Sequence, residues 1–284
     1  MISSMTLGFI RWNIDPEIAN ILGFSWRYYG TLFVTGILLC IAVLKWIFKR
    51  ENIALENLDT LTIYGVFGIF AGARLGHCLF YEPAYYFTHP LEMLLPIQAT
   101  ADGGFQFTGY LGLASHGGAL GLILALVFYS RKTGQSLLAT IDLIAVVAAL
   151  GATFIRLANL MNSEIIGMPT TMPWAFIFER VDDIPRHPAQ LYEAILYLLI
   201  FGIMLLLYTT RREKLKKGFF FGLVLVLIFT ARFFVEFVKE DQVAFEDGMT
   251  FNMGQLLSLP YIFTGMGFLV YSLMQNNRQT KEIG

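Results

Sequence analysis

Charged side chains are scarce in this sequence of 284 residues. Asp, Glu, Lys and Arg make up 14% of it and apolar residues make up 56%, whereas a typical soluble domain has about 25% charged residues. A soluble globule of this length cannot bury so much apolar surface. The composition therefore excludes a soluble protein and predicts one that resides in a membrane.

The sequence also lacks a basic surplus and has only two cysteines. Its formal net charge is -1, which argues against a nucleic-acid partner, because such a partner requires a basic face that neutralises phosphates. Cys40 and Cys78 lie in apolar runs and match no metal-ligand or disulfide spacing. We expect two buried thiols and no metal site.

Long apolar runs are abundant instead. Crossing about 30 Å of hydrocarbon takes about 20 mostly apolar residues, and seven stretches qualify. They are Tyr28–Phe48, Leu61–Phe80, Gly109–Ser130, Leu137–Leu160, Gln190–Tyr208, Phe219–Val238 and Gly254–Met274. The expected fold class is an all-α integral membrane protein with seven transmembrane helices, in which residues 1–284 form a single polytopic membrane domain.

Basic residues set the expected orientation, because Lys and Arg prefer cytoplasmic loops. Twelve of the 20 basic residues flank one side of the spans, five flank the other and three lie within spans. This distribution places the N-terminus outside and the C-terminus in the cytoplasm. The loops 81–108, 161–189 and 239–253 are then extracytoplasmic.

Three arginines lie inside the spans, where a charge is costly and usually faces a functional path. With a rise of 1.5 Å per residue, Arg74, Arg156 and Arg232 lie about 20–28 Å from the cytoplasmic ends of their helices. Guanidinium groups suit phosphate, so three of them in the outer half of the bilayer predict a phospholipid head-group site. The alternative is internal pairing, such as a salt bridge between Arg232 and Glu236 at i, i+4.

Other polar residues lie near the ends of spans. His116, among small residues that leave room beside it, can take or give a proton near neutral pH; the alternative is a hydrogen-bonded packing residue. Arg156, Asn159 and Asn162 are three residues apart and share a helix face. The segment 186–193 opens the fifth span with polar residues, and helix capping is its alternative role. We interpret Asp142, near an inner end, as a snorkelling or capping residue.

Several segments together resemble the prolipoprotein diacylglyceryl transferase family, over nearly the whole chain. They are Arg27-Tyr-Tyr-Gly30, Gly72-Ala-Arg-Leu-Gly76, Phe80-Tyr81, His116-Gly-Gly118, the segments 156–167 and 186–193, Ala231-Arg-Phe-Phe-Val-Glu-Phe237 and Met253-Gly-Gln-Leu-Leu-Ser258. Ile155, Leu160 and Ile228 depart from the family's usual residues. At Ile228 the family often has Tyr, so this chain lacks a hydroxyl there.

The resemblance implies an enzyme that transfers the diacylglyceryl group of phosphatidylglycerol to the lipobox cysteine of a prolipoprotein. A thioether forms and glycerol phosphate leaves, in the first step of bacterial lipoprotein maturation. The implied partners are phosphatidylglycerol and prolipoprotein signal peptides, and no cofactor is implied. The implied location is the bacterial cytoplasmic (inner) membrane, with the active site toward the outer leaflet.

Matched to the family, the expected catalytic residues are His116, Arg156 and Arg232. His116 would take the thiol proton, and the two arginines would neutralise charge on the leaving phosphate. The alternative is that the arginine field alone lowers the pKa of the thiol. The expected substrate-binding residues are Tyr29, Arg74, Asn159, Asn162, Glu164, Gly167, Gln190, Glu193 and Glu236.

Three other functions fit the residues less well. A transporter or flippase for an anionic lipid would also use buried arginines, but such proteins often have two related halves, and no internal repeat is found. An intramembrane protease would require a Gly-x-Ser-Gly turn or two facing aspartates, which the spans lack. A structural membrane subunit would not gather polar groups at one depth.

Overall fold

The protein is represented by a computed structural model that describes residues 8–21, 24–95, 97–100, 104–107, 112, 114–240 and 251–283. Within these ranges lie nine α-helices. They are α1 (Tyr28–Arg50), α2 (Leu55–Phe80), α3 (Pro83–Thr88), α4 (Pro90–Leu94), α5 (Ser115–Thr133), α6 (Leu137–Asn162), α7 (Ala189–Arg211), α8 (Phe219–Val235) and α9 (Met253–Ile283). The 3-10 turns Arg212–Lys214 and Glu236–Val238 follow α7 and α8 directly.

Six of the described helices are long and apolar enough to cross a membrane. They are α1, α2, α6, α7 with its 3-10 turn, α8 with its 3-10 turn, and α9 as far as Gln275. The chain is therefore a mostly helical, multi-pass membrane protein. The third predicted span corresponds to α5, which is not among the helices that are both long and apolar enough. Residues 109–111 and 113, near the start of that predicted span, lie outside the described part. So do residues 241–250 of the predicted loop 239–253.

The chain divides into two compact units, Met1–Leu44 with Asp142–Gly284, and Lys45–Ile141. In the second unit, α2 and α5 pack closely because glycines face each other. A Cβ atom at Gly68 would lie 2.6 Å from the carbonyl oxygen of Gly121, and one at Gly72 would lie 2.8 Å from its Cα atom. Small residues allow this approach of two membrane helices. The glycines of the His116-Gly-Gly118 segment thus serve helix packing as well, since Gly117 lies against α2.

The first unit contains α1 and α6 to α9. Gly222 and Gly265 bring α8 and α9 together, since a Cβ atom on either would lie 2.7 Å from the carbonyl oxygen of the other. The Cys40 thiol on α1 is partly buried and lies 3.4 Å from the Val147 carbonyl oxygen on α6. Cys78, on α2 of the other unit, is buried as expected.

Short strands form beside the helices, which the all-α expectation did not include. In the first unit β1 (Ile10–Trp12) pairs parallel with β6 (Phe176–Phe178), which pairs antiparallel with β7 (Pro185–Arg186). Hairpins join β2 (Glu17–Ile21) to β3 (Phe24–Arg27) and, in the second unit, β4 (Ile97–Ala99) to β5 (Phe105–Phe107). A small core made by Leu160, Ile166, Phe176 and Phe178 anchors the three-stranded sheet to the end of α6.

Asp142 is a buried capping residue, as one of the two interpretations predicted. Its carboxylate accepts hydrogen bonds from the backbone N–H groups of Gly218 at 2.6 Å and Phe221 at 2.9 Å. It therefore caps the first turn of α8 rather than its own helix, and satisfies donors that a helix start otherwise leaves unpaired.

Candidate active site

The last turn of α6 joins a guanidinium group to a carboxylate through one amide. Arg156 Nη1 donates to Oδ1 of Asn159 at 3.1 Å, and Nδ2 of Asn159 donates to Glu164 Oε2 at 3.1 Å. The other carboxylate oxygen of Glu164 accepts from Asn162 Nδ2 at 2.8 Å. The spacing of three residues thus produces the shared polar face that the sequence predicted, and the face ends on an exposed, oriented carboxylate.

The backbone on either side of Glu164 is strained. Ser163 has φ of 55° and Ile165 has φ of 56°, and a left-handed conformation is unfavourable for a β-branched residue such as Ile. The Glu164 N–H donates to the Asn159 carbonyl oxygen at 3.0 Å, and its own carbonyl oxygen accepts from the Gln190 amide. Strain of this kind persists only where surrounding contacts hold it and is concentrated at functional sites.

Helix α7 contributes Gln190 and Glu193, both completely buried. A Glu193 carboxylate oxygen lies 2.7 Å from Arg156 Nε, and the Tyr197 hydroxyl donates to the other oxygen at 3.3 Å. Helix capping, the alternative role for the segment 186–193, does not explain these contacts. The residue before α7 is Pro188, and its side chain makes no capping hydrogen bond.

A buried lysine, Lys239, joins Glu193 to the end of α8. Its Nζ atom lies 3.0 Å from Glu193 Oε1 and 3.0 Å from Glu236 Oε2. The salt bridge considered for Glu236, with Arg232, is not found among the described residues, and Glu236 pairs with Lys239 instead. Gly254 leaves space for this carboxylate, because a Cβ atom there would overlap the Glu236 side chain.

Arg232 and Arg156 both act on Tyr197. The two guanidinium groups both lie within electrostatic range of its hydroxyl group. Arg232 is partly buried, and its guanidinium group makes no hydrogen bond or ion pair with the residues that the structure describes. Tyr29 lies within electrostatic range of Arg156 and Glu164. The arginines of α6 and α8 therefore both act electrostatically on the Tyr197 side chain.

Gly167 has a backbone role. Its N–H donates to the His187 carbonyl oxygen at 2.9 Å, and a Cβ atom would lie 2.5 Å from that oxygen and 2.7 Å from the Val238 carbonyl oxygen. The chain segments before α7 and after α8 therefore both pass too close to this residue for any side chain. Gly167 thus holds two chain segments together through its backbone.

Arg186 fixes the same loop. It is buried and donates to the Gly167 carbonyl oxygen at 3.3 Å, while its guanidinium pairs with Asp182 at 2.6 Å and Glu240 at 3.0 Å. Hydrogen bonding to Arg186 holds the pKa of the Asp182 carboxyl below its usual value, and the same pair raises the pKa of Arg186. At neutral pH, these ion pairs therefore hold the loop in place.

Arg74 and His116 belong to the other compact unit. Arg74 is buried and donates to the carbonyl oxygens of Met93 at 3.2 Å, Gly112 at 3.4 Å and Glu92. Its guanidinium also lies 4.8 Å from the centre of the Tyr86 ring. His116 is exposed in the first turn of α5 and makes no hydrogen bond within the described part of the chain. Arg74 thus ties a loop to α2, whereas the His116 side chain is exposed.

Two residues of this site, Lys239 and Tyr197, were not predicted. The charge count treated Lys239 as an outer loop residue, although it follows Glu236 by three residues, a spacing that places the two side chains together. Tyr197 follows Glu193 by four residues in the same way. No group of three His, Cys, Asp or Glu side chains that could hold a metal ion is found in the described ranges.

Comparison with known proteins identifies one family. A family model described as prolipoprotein diacylglyceryl transferase matches residues 16–271. A phosphatidylglycerol–prolipoprotein diacylglyceryl transferase of Bacteroides fragilis is 53% identical over 262 residues, which cover 92% of this chain and 95% of the relative. Enzymes of the same name from Tolumonas auensis and Chloroherpeton thalassium are 41% identical (94% of this chain, 99% of the relative) and 40% identical (95% and 97%).

Proposed function

We propose a function on one premise: the chain belongs to the prolipoprotein diacylglyceryl transferase family. It transfers the diacylglyceryl group of phosphatidylglycerol to the lipobox cysteine of a prolipoprotein, the first step of bacterial lipoprotein maturation. The observation that carries this function is that Arg156 and Arg232 both lie within electrostatic range of one hydroxyl group, that of Tyr197, because guanidinium groups provide the donors that a phosphate requires.

The reaction is a displacement at carbon. The cysteine thiol loses its proton, and its sulfur forms a bond to the carbon of the diacylglyceryl group that carries the phosphate ester. The bond between that carbon and the phosphate oxygen breaks. The electron pair of that bond leaves on glycerol phosphate. In this scheme Arg156 and Arg232 neutralise the charge that grows on the departing phosphate oxygen, and His116 receives the thiol proton.

The other residues bind and orient the head group. Asn159, Asn162 and Glu164 offer amide and carboxylate groups beside Arg156, and Tyr29 contributes a hydroxyl from the start of α1. Gln190, Glu193, Glu236 and Gly167 hold these groups in place through the contacts described above. Arg74 supports the substrate from its own unit by fixing the loop that precedes α5.

The same proposal includes the topology. The chain forms one polytopic domain of seven spans, with α5 as the third, in the bacterial inner membrane. The N-terminus lies outside, the C-terminus lies in the cytoplasm and the active site faces the outer leaflet. Basic residues support this orientation: α1 ends on Lys49 and Arg50, and α7 ends on Arg211, as cytoplasmic helix ends do.

The test uses the purified full chain with phosphatidylglycerol and a lipobox peptide, and follows the peptide mass. The wild type should add one diacylglyceryl group, and Arg156→Ala and Arg232→Ala should abolish the addition. His116→Gln should be slow near neutral pH and recover as the pH approaches the thiol's own pKa, about 8.5. Near wild-type turnover by His116→Gln would overturn the base role, and no adduct from folded wild type would overturn the function.

A further inference from the structure

Lys239 is one of the most deeply buried ionisable groups of the first unit. Its side chain is 1% exposed, and its two partners, Glu193 and Glu236, are 0% and 6% exposed. Burying an ammonium group is costly unless it is paired. Any role of the Lys239 side chain therefore acts through Glu193 and Glu236, because the side chain does not reach the surface.

The buried and partly buried charges of the cluster do not cancel. They comprise three cations, Arg156, Arg232 and Lys239, and two carboxylates, Glu193 and Glu236. One positive charge is left over among these groups; the Glu164 carboxylate is exposed, so solvent screens it, and it is not counted here. Without Lys239, one carboxylate would be available for each arginine, since Glu193 already contacts Arg156 and Glu236 stands at i, i+4 from Arg232.

We propose that Lys239 is a positioning residue that keeps Glu236 away from Arg232 and leaves the cluster with one surplus positive charge for an anionic phosphate. This role rests on the proposed function, in which Arg156 and Arg232 bind the phosphate. The pairing supports it, because Glu236 pairs with Lys239 while Arg232 has no ion pair within the described ranges.

The backbone holds Lys239 in the required place. Its N–H donates to the Glu236 carbonyl oxygen at 3.2 Å, and it forms an isolated β-bridge with Gly167. On either side, Val238 accepts from the Met168 N–H at 2.9 Å and Glu240 donates to the Ile166 carbonyl oxygen at 3.2 Å. The ammonium group is thus directed into the carboxylate pair by a clamped segment.

The test compares three variants with the wild type, in which the cluster charge is +1. Two variants change this charge and the third restores it. Lys239→Met leaves a cluster charge of 0, Glu236→Gln leaves +2, and the double variant Lys239→Met/Glu236→Gln restores +1. Binding of glycerol phosphate to the full chain is measured in detergent without peptide, with inorganic phosphate as a second probe. Transfer to a lipobox peptide is measured in parallel.

Affinity for both anions should follow the charge. Lys239→Met should weaken binding about tenfold or more and reduce transfer about 100-fold, on the scale of losing one electrostatic contact to a transition state. The double variant should regain at least tenfold in both, and Glu236→Gln should bind the anions more tightly than the wild type. If the Lys239→Met protein does not fold, the double variant and Glu236→Gln still rank the affinities.

A purely structural role predicts a different pattern: Lys239→Met unfolds at a lower temperature but binds the anions as the wild type does. That pattern, or a folded double variant as impaired as Lys239→Met, would overturn the proposal. Its failure is distinguishable from failure of the proposed function, because a wild type without transferase activity can still be tested for charge-dependent anion binding.

Discussion

The Nε atom of Arg156 lies 2.7 Å from a carboxylate oxygen of Glu193, so two neighbouring membrane helices meet through a buried ion pair. The same guanidinium group donates through Nη1 to Asn159. Its plane is therefore fixed from two directions. A planar, forked cation held in this way has an orientation that a single ammonium group cannot reproduce.

Arg156→Lys should therefore lose most of the activity although it keeps the charge. One ammonium group cannot serve both Glu193 and Asn159 and still meet a phosphate, and we expect transfer to the lipobox peptide to fall about 100-fold or more. Arg11→Lys is the matched control, because Arg11 forms an exposed pair with Glu179 and such pairs contribute little. Transfer by Arg156→Lys within threefold of the wild-type rate would contradict the requirement for a forked guanidinium group.

Gly167→Ala should unfold the loop that carries Glu164. The added methyl group would lie 2.5 Å and 2.7 Å from two carbonyl oxygens, and overpacking of this kind costs about 1–3 kcal/mol. Thermal unfolding in detergent would show a lower midpoint, together with lower activity. Gly202→Ala is the control, since no atom lies within 4 Å of a Cβ atom there; equal losses in both variants would contradict the packing role.

Asp142→Ala should reduce stability without reducing turnover per folded molecule. The variant leaves the Gly218 and Phe221 N–H groups without their acceptor, and a lost helix cap costs about 0.5–2 kcal/mol. The unfolding midpoint and the turnover of the remaining folded enzyme separate the two effects. Asp183→Ala, at an exposed position, should change neither. Wild-type stability with lost turnover would instead assign Asp142 to the reaction.

The stability of the loop between α6 and α7 should depend on pH through His187. Burial lowers the pKa of its imidazole, so the unfolded chain takes up a proton near pH 6.5 and the folded chain only at a lower pH. The contribution of this group is complete above about pH 6.5 and is lost as the pH falls through the folded value. Midpoints measured between pH 7.5 and 5 should fall less in His187→Gln than in the wild type; parallel curves would contradict this.

The sequence predicted the parts of the fold and site that depend on local spacing. Apolar runs identified helices that match α1, α2 and α6 to α9, and the spacing of Arg156, Asn159 and Asn162 identified their common face. Capping by Asp142 was one of two predicted roles. The apolar runs and the shared face depend on residues within one helix or on the solvent that surrounds it, whereas the Asp142 cap joins two helices and its partners were not predicted.

Features that depend on contacts between distant segments were not predicted. The pairing of Lys239 with Glu193 joins residues 46 positions apart, and its neighbour Glu236 was instead considered as a partner of Arg232. The packing of Gly167 against backbone that follows α8 and precedes α7 was not predicted either. No local pattern specifies which carbonyl oxygen will pass a given glycine.

The turn at Ser163 and Ile165 bears on how this enzyme can be improved. A glycine at position 165 would adopt a φ of 56° without the penalty of about 1–2 kcal/mol that an L-residue carries there. Selection for thermal resilience alone would favour that exchange. Isoleucine restricts the backbone beside the Glu164 carboxylate more than glycine would, so we expect an Ile165→Gly enzyme to gain heat tolerance and to lose catalytic rate.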